Sequence, residues 1–389
     1  MDRVETGWRV VDGVATAWFE APSLTAAAAL AGRVVEVLPD VAVDVRATGL
    51  RVRVDPRHAG APAVVRELGP AADPAPLQQL GVVVESPDPS AVRPFWQGVL
   101  GYAPAPDGGL VDPLRRDPAL RIRQHGEARP LRNRIHLDVV RPAAAVEQAS
   151  PGAASGPYGV RHADADGNEV DLVPGDVLGD GPGTADWQTV FGAMACYRTT
   201  SPAQQRDLAA AAAALADDAG FPLLVDLRPG VVVLDSGKDL WEEEAHGLAV
   251  DFTDLAGHLQ AAARELGATA DPGLPRLVQL FLDAADVAAV RAFWIAALGY
   301  AEDRRAGLTD VVDPRRLGPV LAFQDLDPSE TERRRQRNRV HVELAVPPDA
   351  APGRVATAVA AGGRVLDAAD SRWRVADPEG NELVVVGGP

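Results

Sequence analysis

The chain has 389 residues, of which 38 are basic and 55 acidic, giving a formal net charge of −17. That charge repels phosphate backbones and anionic lipid, so nucleic acid and membrane are excluded as partners and a small-molecule ligand is expected. Hydrophobic residues make up 47% and charged residues 24%, the balance of a globular chain of several domains rather than a disordered one.

The opening segment MDRVETGWRV has no apolar stretch, and the longest near-continuous apolar run, Leu208 to Ala216, is about half of a bilayer span. A cytoplasmic protein is therefore expected. Cys196 is the only cysteine, which excludes an intramolecular disulfide and a cysteine zinc cluster; its apolar setting, AMACY, points to a buried filler. In chain order, VATAWFEAPS (Val14 to Ser23) leads into an alanine-rich helical stretch, and VAVDVRATGLRVRVD (Val41 to Asp55) follows as a strand pair. After the Pro-rich segment 69–76 comes LGVVVES (Leu80 to Ser86), a β-branched strand. Asp88 as N-cap, Pro89 at the first helical position and Gly101 at the end bracket a helix, with Val92, Phe95, Trp96 and Val99 on one face. NRIHLDVV alternates: Ile135, Leu137 and Val139 point one way, His136 and Asp138 the other. After the DGN turn, Glu169 and Asp171 share a face opposite Val170 and Leu172.

The chain then repeats itself. AVR, FW and LGY, ending at Tyr102, recur at matched spacing up to Tyr300, and VDP at Val111 to Pro113 recurs at Val312 to Pro314. RNRIHLDVV (Arg132 to Val140) matches RNRVHVELAV (Arg337 to Val346), and DADGNEVDLV (Asp164 to Val173) matches ADPEGNELVVV (Ala376 to Val386). More weakly, AMACYRTTS (Ala193 to Ser201) and LLVDLRPGVVVLD (Leu223 to Asp235) parallel the first 76 residues. The reading is a tandem A–B–A′–B′ chain of class α+β: A over 1–76, B over 77–176, a Gly/Asp-rich linker, A′ over 187–272 and B′ over 273–389.

A strand, a helix ending in FW and LGY, an NR-[IV]-H-[LV]-[DE] strand and a terminal DGNE or EGNE strand resemble a glyoxalase-like domain of the vicinal oxygen chelate superfamily. The resemblance covers both B units and implies paired βαβββ modules whose curled sheet encloses a cavity with metal ligands on its concave face. B and B′ are then expected to close their sheets separately or with each other, giving a monomer with an internal pseudo-dimer, or a homodimer. The A units resemble, more weakly, the pterin-4a-carbinolamine dehydratase fold. That family's paired histidines are replaced by Val37 and Leu38 before Pro39, and by Ala219, Gly220 and Phe221 before Pro222; His58 and Trp241 fall near its third histidine. Without an acid or base there, A and A′ are expected to be degenerate scaffolds.

Carried over position by position, the chelate family's ligands in B fall near Gly81, on Gln124 within Arg121 to Gln124, on His136 and on Asp171. In B′ they fall on Gln279, Gln324, His341 and Val384, with Glu382 two residues away on the same face. Each copy is thus short of the three or four protein ligands usual for a tight site. No cofactor is expected, save a divalent metal (Zn, Ni, Mn or Fe) at His136 and Asp171 of the first copy. His136 and His341 otherwise read as polar cavity residues bonded to Asp138 and Glu343 or to water. Glu169 is a candidate to cap the pocket, and Trp96 and Trp294 pack in the core or line the cavity. RPLRNR (Arg129 to Arg134) and RRRQRNR (Arg333 to Arg339) read as solvated loops or an arginine gate for an anion. Three functions follow: a small-molecule binding or sequestering protein with a metal-poor cavity, like bleomycin-resistance members; a lyase or isomerase in which His136 and Asp171 are catalytic; or a pterin-binding scaffold.

Overall fold

The computed structural model describes residues 7–38, 40–55, 71–149, 151–242 and 247–388. His58 and Pro39 lie outside the described residues, so the reading made of them has no structural counterpart. Eight helices and 24 strands alternate along the described chain. They gather into two compact units: Met1–Leu77, Val140–Ala145 and Pro174–Leu277 form one, and Gln78–Val139, Val146–Val173 and Val278–Pro389 form the other. Segments A and A′ therefore share one unit, and B and B′ share the other.

In the A/A′ unit each half is a strand, a helix and a strand pair. In A these are Val14–Glu20, Leu24–Val37, Ala42–Arg46 and Gly49–Val54; in A′ they are Ala193–Arg198, Pro202–Ala219, Leu224–Arg228 and Val231–Asp235, with a further helix at Phe252–Glu265. Ala27, Ala28 and Ala31 of one helix and Ala209, Ala212 and Ala213 of the other are buried in a common core, because small side chains let two helices approach closely. Ser23 caps the first helix through Ala26 N at 3.1 Å, and Asp217 of the second helix accepts from Leu24 N and Thr25 N at 3.3 and 2.8 Å. The halves join where Ala42–Arg46 runs antiparallel to Leu224–Arg228 with Asp44 opposite Asp226. Arg46 donates to Asp226 at 2.8 Å, and Arg228 reciprocally to Asp44. Burial would raise the Asp44 carboxyl, but Arg228, Arg51 and Arg53 around it win and hold it well below the usual carboxylate range. Cys196 is buried opposite Val233 on the neighbouring strand, the filler its surroundings suggest.

In the B/B′ unit each copy supplies two modules. B gives Gln79–Ser86, the helix Pro89–Leu100 and Ala119–Gln124, then Ile135–Pro142 and Glu169–Val177; B′ gives Leu277–Ala284, the helix Val287–Leu298 and Leu321–Asp325, then Val340–Ala345, Arg372–Ala376 and Glu382–Val386. Asp88 accepts from Ser90 N at 3.0 Å with Pro89 behind it, and Gly101 ends the helix at φ +64°, where a side chain would be strained. Asp286 and Gly299 (φ +66°) repeat this in B′.

The modules pair crosswise. Gln79–Ser86 of B lies antiparallel to Val340–Ala345 of B′, with Val83 opposite His341 and Gly81 opposite Glu343. Ile135–Pro142 of B neighbours Leu277–Ala284 of B′. Each sheet thus holds one module from each copy, and neither copy closes a sheet alone. Leu80, Val82, Val84, Ile135, Leu137, Leu280, Leu282, Val342 and Leu344 pack beneath the sheets against Trp96, Phe293 and Trp294.

The two arginine loops, read above as solvated or gating, are the seam of this pairing. Arg134 N donates to Asn338 Oδ1 at 2.9 Å, and Arg339 N donates to Asn133 Oδ1 at 2.8 Å. The Arg134 guanidinium reaches Asn381 Oδ1 at 3.1 Å and the carbonyls of Arg333 and Gln336 at 2.6 and 2.8 Å. Arg339 reaches Asn168 Oδ1 at 2.8 Å and the carbonyl of Gly167 at 3.0 Å. All of these side chains are buried, because a guanidinium ringed by carbonyl and amide oxygens is satisfied without water. Replacing Arg134 by Met takes its donors from the carbonyls of Arg333 and Gln336, while Asn381 Oδ1 keeps Asn338 Nδ2 at 2.8 Å, so a loss of about 2–3 kcal/mol in urea unfolding is expected, against less than about 0.5 kcal/mol for Arg335→Ala on the exposed part of the loop.

Candidate functional site

Strand parity aims the polar side chains of both sheets to the face opposite the core, making two cups. The first is built on Ile135–Pro142, Glu169–Val177, Leu277–Ala284 and Leu321–Asp325. His136 and Asp138 project from the first of these, Glu169 and Asp171 from the second, and Gln279, Phe281 and Asp283 from the third. Asp283 stands opposite Gln324 of the fourth in a parallel register, and Gln324 donates to it.

His136, Asp138 and Asp171 each bring one ligand atom within 4.8 Å of the others. His136 stacks on Phe281, with ring centroids 5.4 Å apart and planes 16° from parallel, which fixes the imidazole over the strand pair. Its Nε2 is 3.6 Å from Asp138 Oδ1, too long for a hydrogen bond, so the expected His136–Asp138 bond is absent. Asp138 instead accepts from Gln279 Nε2 at 2.9 Å, and Gln279 Oε1 is buried without a hydrogen-bond partner among the described residues. Burial pushes His136 below its ordinary value against the pull of Asp283 and Asp171, so the ring is neutral near pH 7 with a lone pair to offer. Glu169 is gripped by Arg132 at 2.5 Å, with Arg161 at 3.9 Å, and Asp283 by Arg333, so neither is open to coordinate.

The crosswise pairing corrects the counting of ligands by copy. Each copy contributes half of each cup, so the first cup combines His136 and Asp171 of B with Gln279 and Gln324 of B′. Three ligand atoms converge there, one imidazole nitrogen and two carboxylate oxygens, and the amide of Gln279 stands next to them through its bond to Asp138. The imidazole and two carboxylates suit a first-row divalent cation, and the neighbouring Gln279 Oε1 is buried without a hydrogen-bond partner among the described residues.

The second cup takes the poorer residues. His341 and Glu343 face it from Val340–Ala345, Glu382 and Val384 from Glu382–Val386, Arg372 and Arg374 from their strand, and Gly81, Glu85, Arg121 and Arg123 from B. Gln124, placed in the cup by the sequence, falls on the other side: Arg121 is opposite Val83 and Arg123 opposite Glu85, so Gln124, one residue on, points away and is exposed. Glu343 binds Arg123 at 2.8 Å, Arg121 at 3.4 Å and Arg372, not His341 as expected. Glu382 holds Arg337 at 2.6 Å, and Glu85 holds Arg337 at 3.0 Å together with Arg129. Glu85 also lines a cavity of about 180 Å³ walled by His125, Arg129 and Arg339.

Trp96 and Trp294 line neither cup. Both are fully buried, Trp96 Nε1 donating to Asp164 at 2.8 Å and Trp294 Nε1 to Asp377 at 3.1 Å, because an indole N–H in a core needs an acceptor. The sequence missed Asp138 as a ligand atom, Asp283 and Phe281 in the first cup, and Arg123, Arg372 and Arg374 in the second. The period-two pattern of LVQLFLDA, which sets Gln279, Phe281 and Asp283 on one face, was the signal available for the first of these strands.

The glyoxalase-like domain family matches residues 81–173 and 279–386, just over half of the chain. The chain belongs to the glyoxalase-like domain family. Among solved structures it is similar to glyoxalase I from Zea mays, at 11% identity and a TM-score of 0.39, covering 80% of this chain and 92% of that one. A glyoxalase-related enzyme from Fulvimarina pelagi is 22% identical with a TM-score of 0.20, covering 28% of this chain and 85% of its own. A glyoxalase/bleomycin resistance protein from Albidiferax ferrireducens is 15% identical with a TM-score of 0.20, covering 28% and 95%. No curated protein matches the chain in sequence. No helix among the described residues is long and apolar enough to cross a membrane.

In this glyoxalase-like pair, burial takes His341 from its usual 6.5 down to about 4. Between those values the unfolded chain binds a proton there and the folded chain does not, so stability falls as pH drops through the window. Relative to its value at pH 7, His341 is expected to cost about 2 kcal/mol at about pH 5, read as the difference in urea unfolding between the wild type and His341→Gln.

Proposed function

We propose that the first cup holds a divalent cation through His136, Asp138 and Asp171, with Gln279 Oε1 as a fourth donor, and that the chain is a lyase or isomerase of the glyoxalase type. The observation that carries this is the convergence of three ligand atoms within 4.8 Å beside a buried, unpartnered amide oxygen. A bound cation there would supply Lewis-acid polarisation of a substrate oxygen. The protein's own contribution is positional. Phe281 holds the imidazole plane, Gln279 orients Asp138, and Arg132 and Arg161 keep Glu169 out of the ligand set while leaving it at the rim for a substrate.

A second reading, binding or sequestration of a small molecule without turnover, is favoured by the second cup, where Gly81 and Val384 replace donors and arginines surround the imidazole. The A/A′ unit is proposed as a degenerate dehydratase-like scaffold, since Val37 and Leu38 stand where that family carries imidazoles.

Calorimetric titration of chelator-treated protein with Mn²⁺ and Zn²⁺ tests the first cup. One equivalent per chain is expected, weakened on the order of a hundredfold in Asp171→Asn and about tenfold in Gln279→Leu. Absence of saturable binding at millimolar metal, or binding indifferent to Asp171→Asn, overturns the metal reading and leaves the metal-free binder.

A further inference from the structure

The two cups are built on the same scaffold, so each position in one has a counterpart in the other, and the differences fall in a pattern. Where Gln279 stands in the first cup, the second has Gly81. The space that a side chain there would fill is taken by a guanidinium: Arg121 Nη1 lies 3.1 Å from where a Cβ on Gly81 would sit. Where Gln324 stands opposite Asp283, Arg123 stands opposite Glu85. Where Arg161 pairs in register with Asp171, Arg374 pairs with Val384. The second cup has therefore exchanged two neutral amide positions for cationic ones or their space, and one carboxylate for a valine.

The consequence for Arg374 is specific. Its nearest carboxylate oxygen, on Glu382, is 3.9 Å away and is already shared with Arg337, which holds Glu382 at 2.6 Å. Arg374 Nε is buried with no hydrogen-bond partner among the described residues, although the side chain as a whole is 36% exposed. A buried guanidinium N–H without an acceptor is costly unless something outside the chain supplies one. Beside it, Arg372 and Arg123 share Glu343 and remain 39% and 41% exposed, so each keeps further N–H donors accessible from outside the chain. At the floor, His341 is 3% exposed, and its Nδ1 also lacks a hydrogen-bond partner, the closest carboxylate oxygen being Glu85 Oε1 at 4.0 Å. Two buried polar atoms on the cup face thus lack partners, in a site where arginines outnumber acids within a chain of net charge −17.

We propose that the second cup is a binding site for a small carboxylate-bearing molecule, whose carboxylate meets Arg374 beside Val384 and supplies the acceptor that the valine, standing where the first cup has Asp171, does not. Arg374 and Arg372 grip the oxygens, Arg123 stands next to Arg372 on Glu343, and His341 Nδ1 meets a polar group of the ligand at the floor. A guanidinium fork matches a planar carboxylate in two parallel hydrogen bonds, which favours carboxylate over a spherical anion. The proposal does not rest on a cation in the first cup.

The test is a titration of the full chain, chelator-treated and at constant ionic strength, with 4-fluorobenzoate followed by fluorine NMR line broadening. Saturable broadening is expected, weakened at least about tenfold in Arg374→Met, as for loss of a charge-assisted bidentate contact. Val384→Asp, which restores an internal carboxylate, is expected to abolish it, while the first-cup variant His136→Ala leaves it intact. Acetate is expected to displace the probe more strongly than phosphate at equal concentration. No saturable broadening, broadening indifferent to Arg374→Met, loss in His136→Ala, or stronger displacement by phosphate than by acetate each overturns the proposal; thermal melting of Arg374→Met alongside the wild type confirms that the comparison is made on folded protein.

Discussion

The B/B′ unit depends on the reciprocal clasp in which Asn133 and Arg134 of one copy lock against Asn338 and Arg339 of the other. Each arginine carries up to five N–H donors into a buried place and finds oxygens for them on the opposite copy's loop and turn. The clasp sits where the two histidine strands begin, so it fixes the register of the crosswise pairing. Without it, each module would expose an unpaired strand edge, a template for misassembly.

The clasp is one end of a longer buried chain of polar groups. Asn168 and Asn381, which receive the arginines, also donate to Asp164 and Asp377 at 2.8 Å, and these accept the indole N–H groups of Trp96 and Trp294. The residues that made the repeat visible, FW, NR and the Asn of DGN or EGN, are thus one network running from helix to turn to seam. Burial raises Asp377 above its usual range, while its bonds from Asn381 and Trp294 pull it back, so this acid is held at a cost met only when the whole network is formed.

The copies differ chiefly on the faces of the cups. Gln279 against Gly81, Gln324 against Arg123 and Asp171 against Val384 are all on the cup faces, and none touches the clasp. With the seam shared, the two cups differ on a common imidazole, one carrying carboxylate and amide side chains, the other guanidinium groups. The A/A′ unit repeats the same logic of reciprocal pairing, with Arg46–Asp226 and Arg228–Asp44 closing its own seam.

The sequence by itself determined the repeat, the element types, the caps at Asp88 and Gly101 and the face on which His136, Asp171 and His341 lie, because helix caps and strand alternation are local and read off neighbouring residues. It also named most of the residues that reach the cups. Its misplacement of Gln124 was an error of one residue, which in a strand of period two reverses the face. Only the tertiary structure decided which copy lends which strand to which cup. Cross-strand pairing joins residues more than a hundred positions apart through backbone hydrogen bonds that any sequence can make, so no local pattern reveals that Gln279 of the second copy faces His136 of the first.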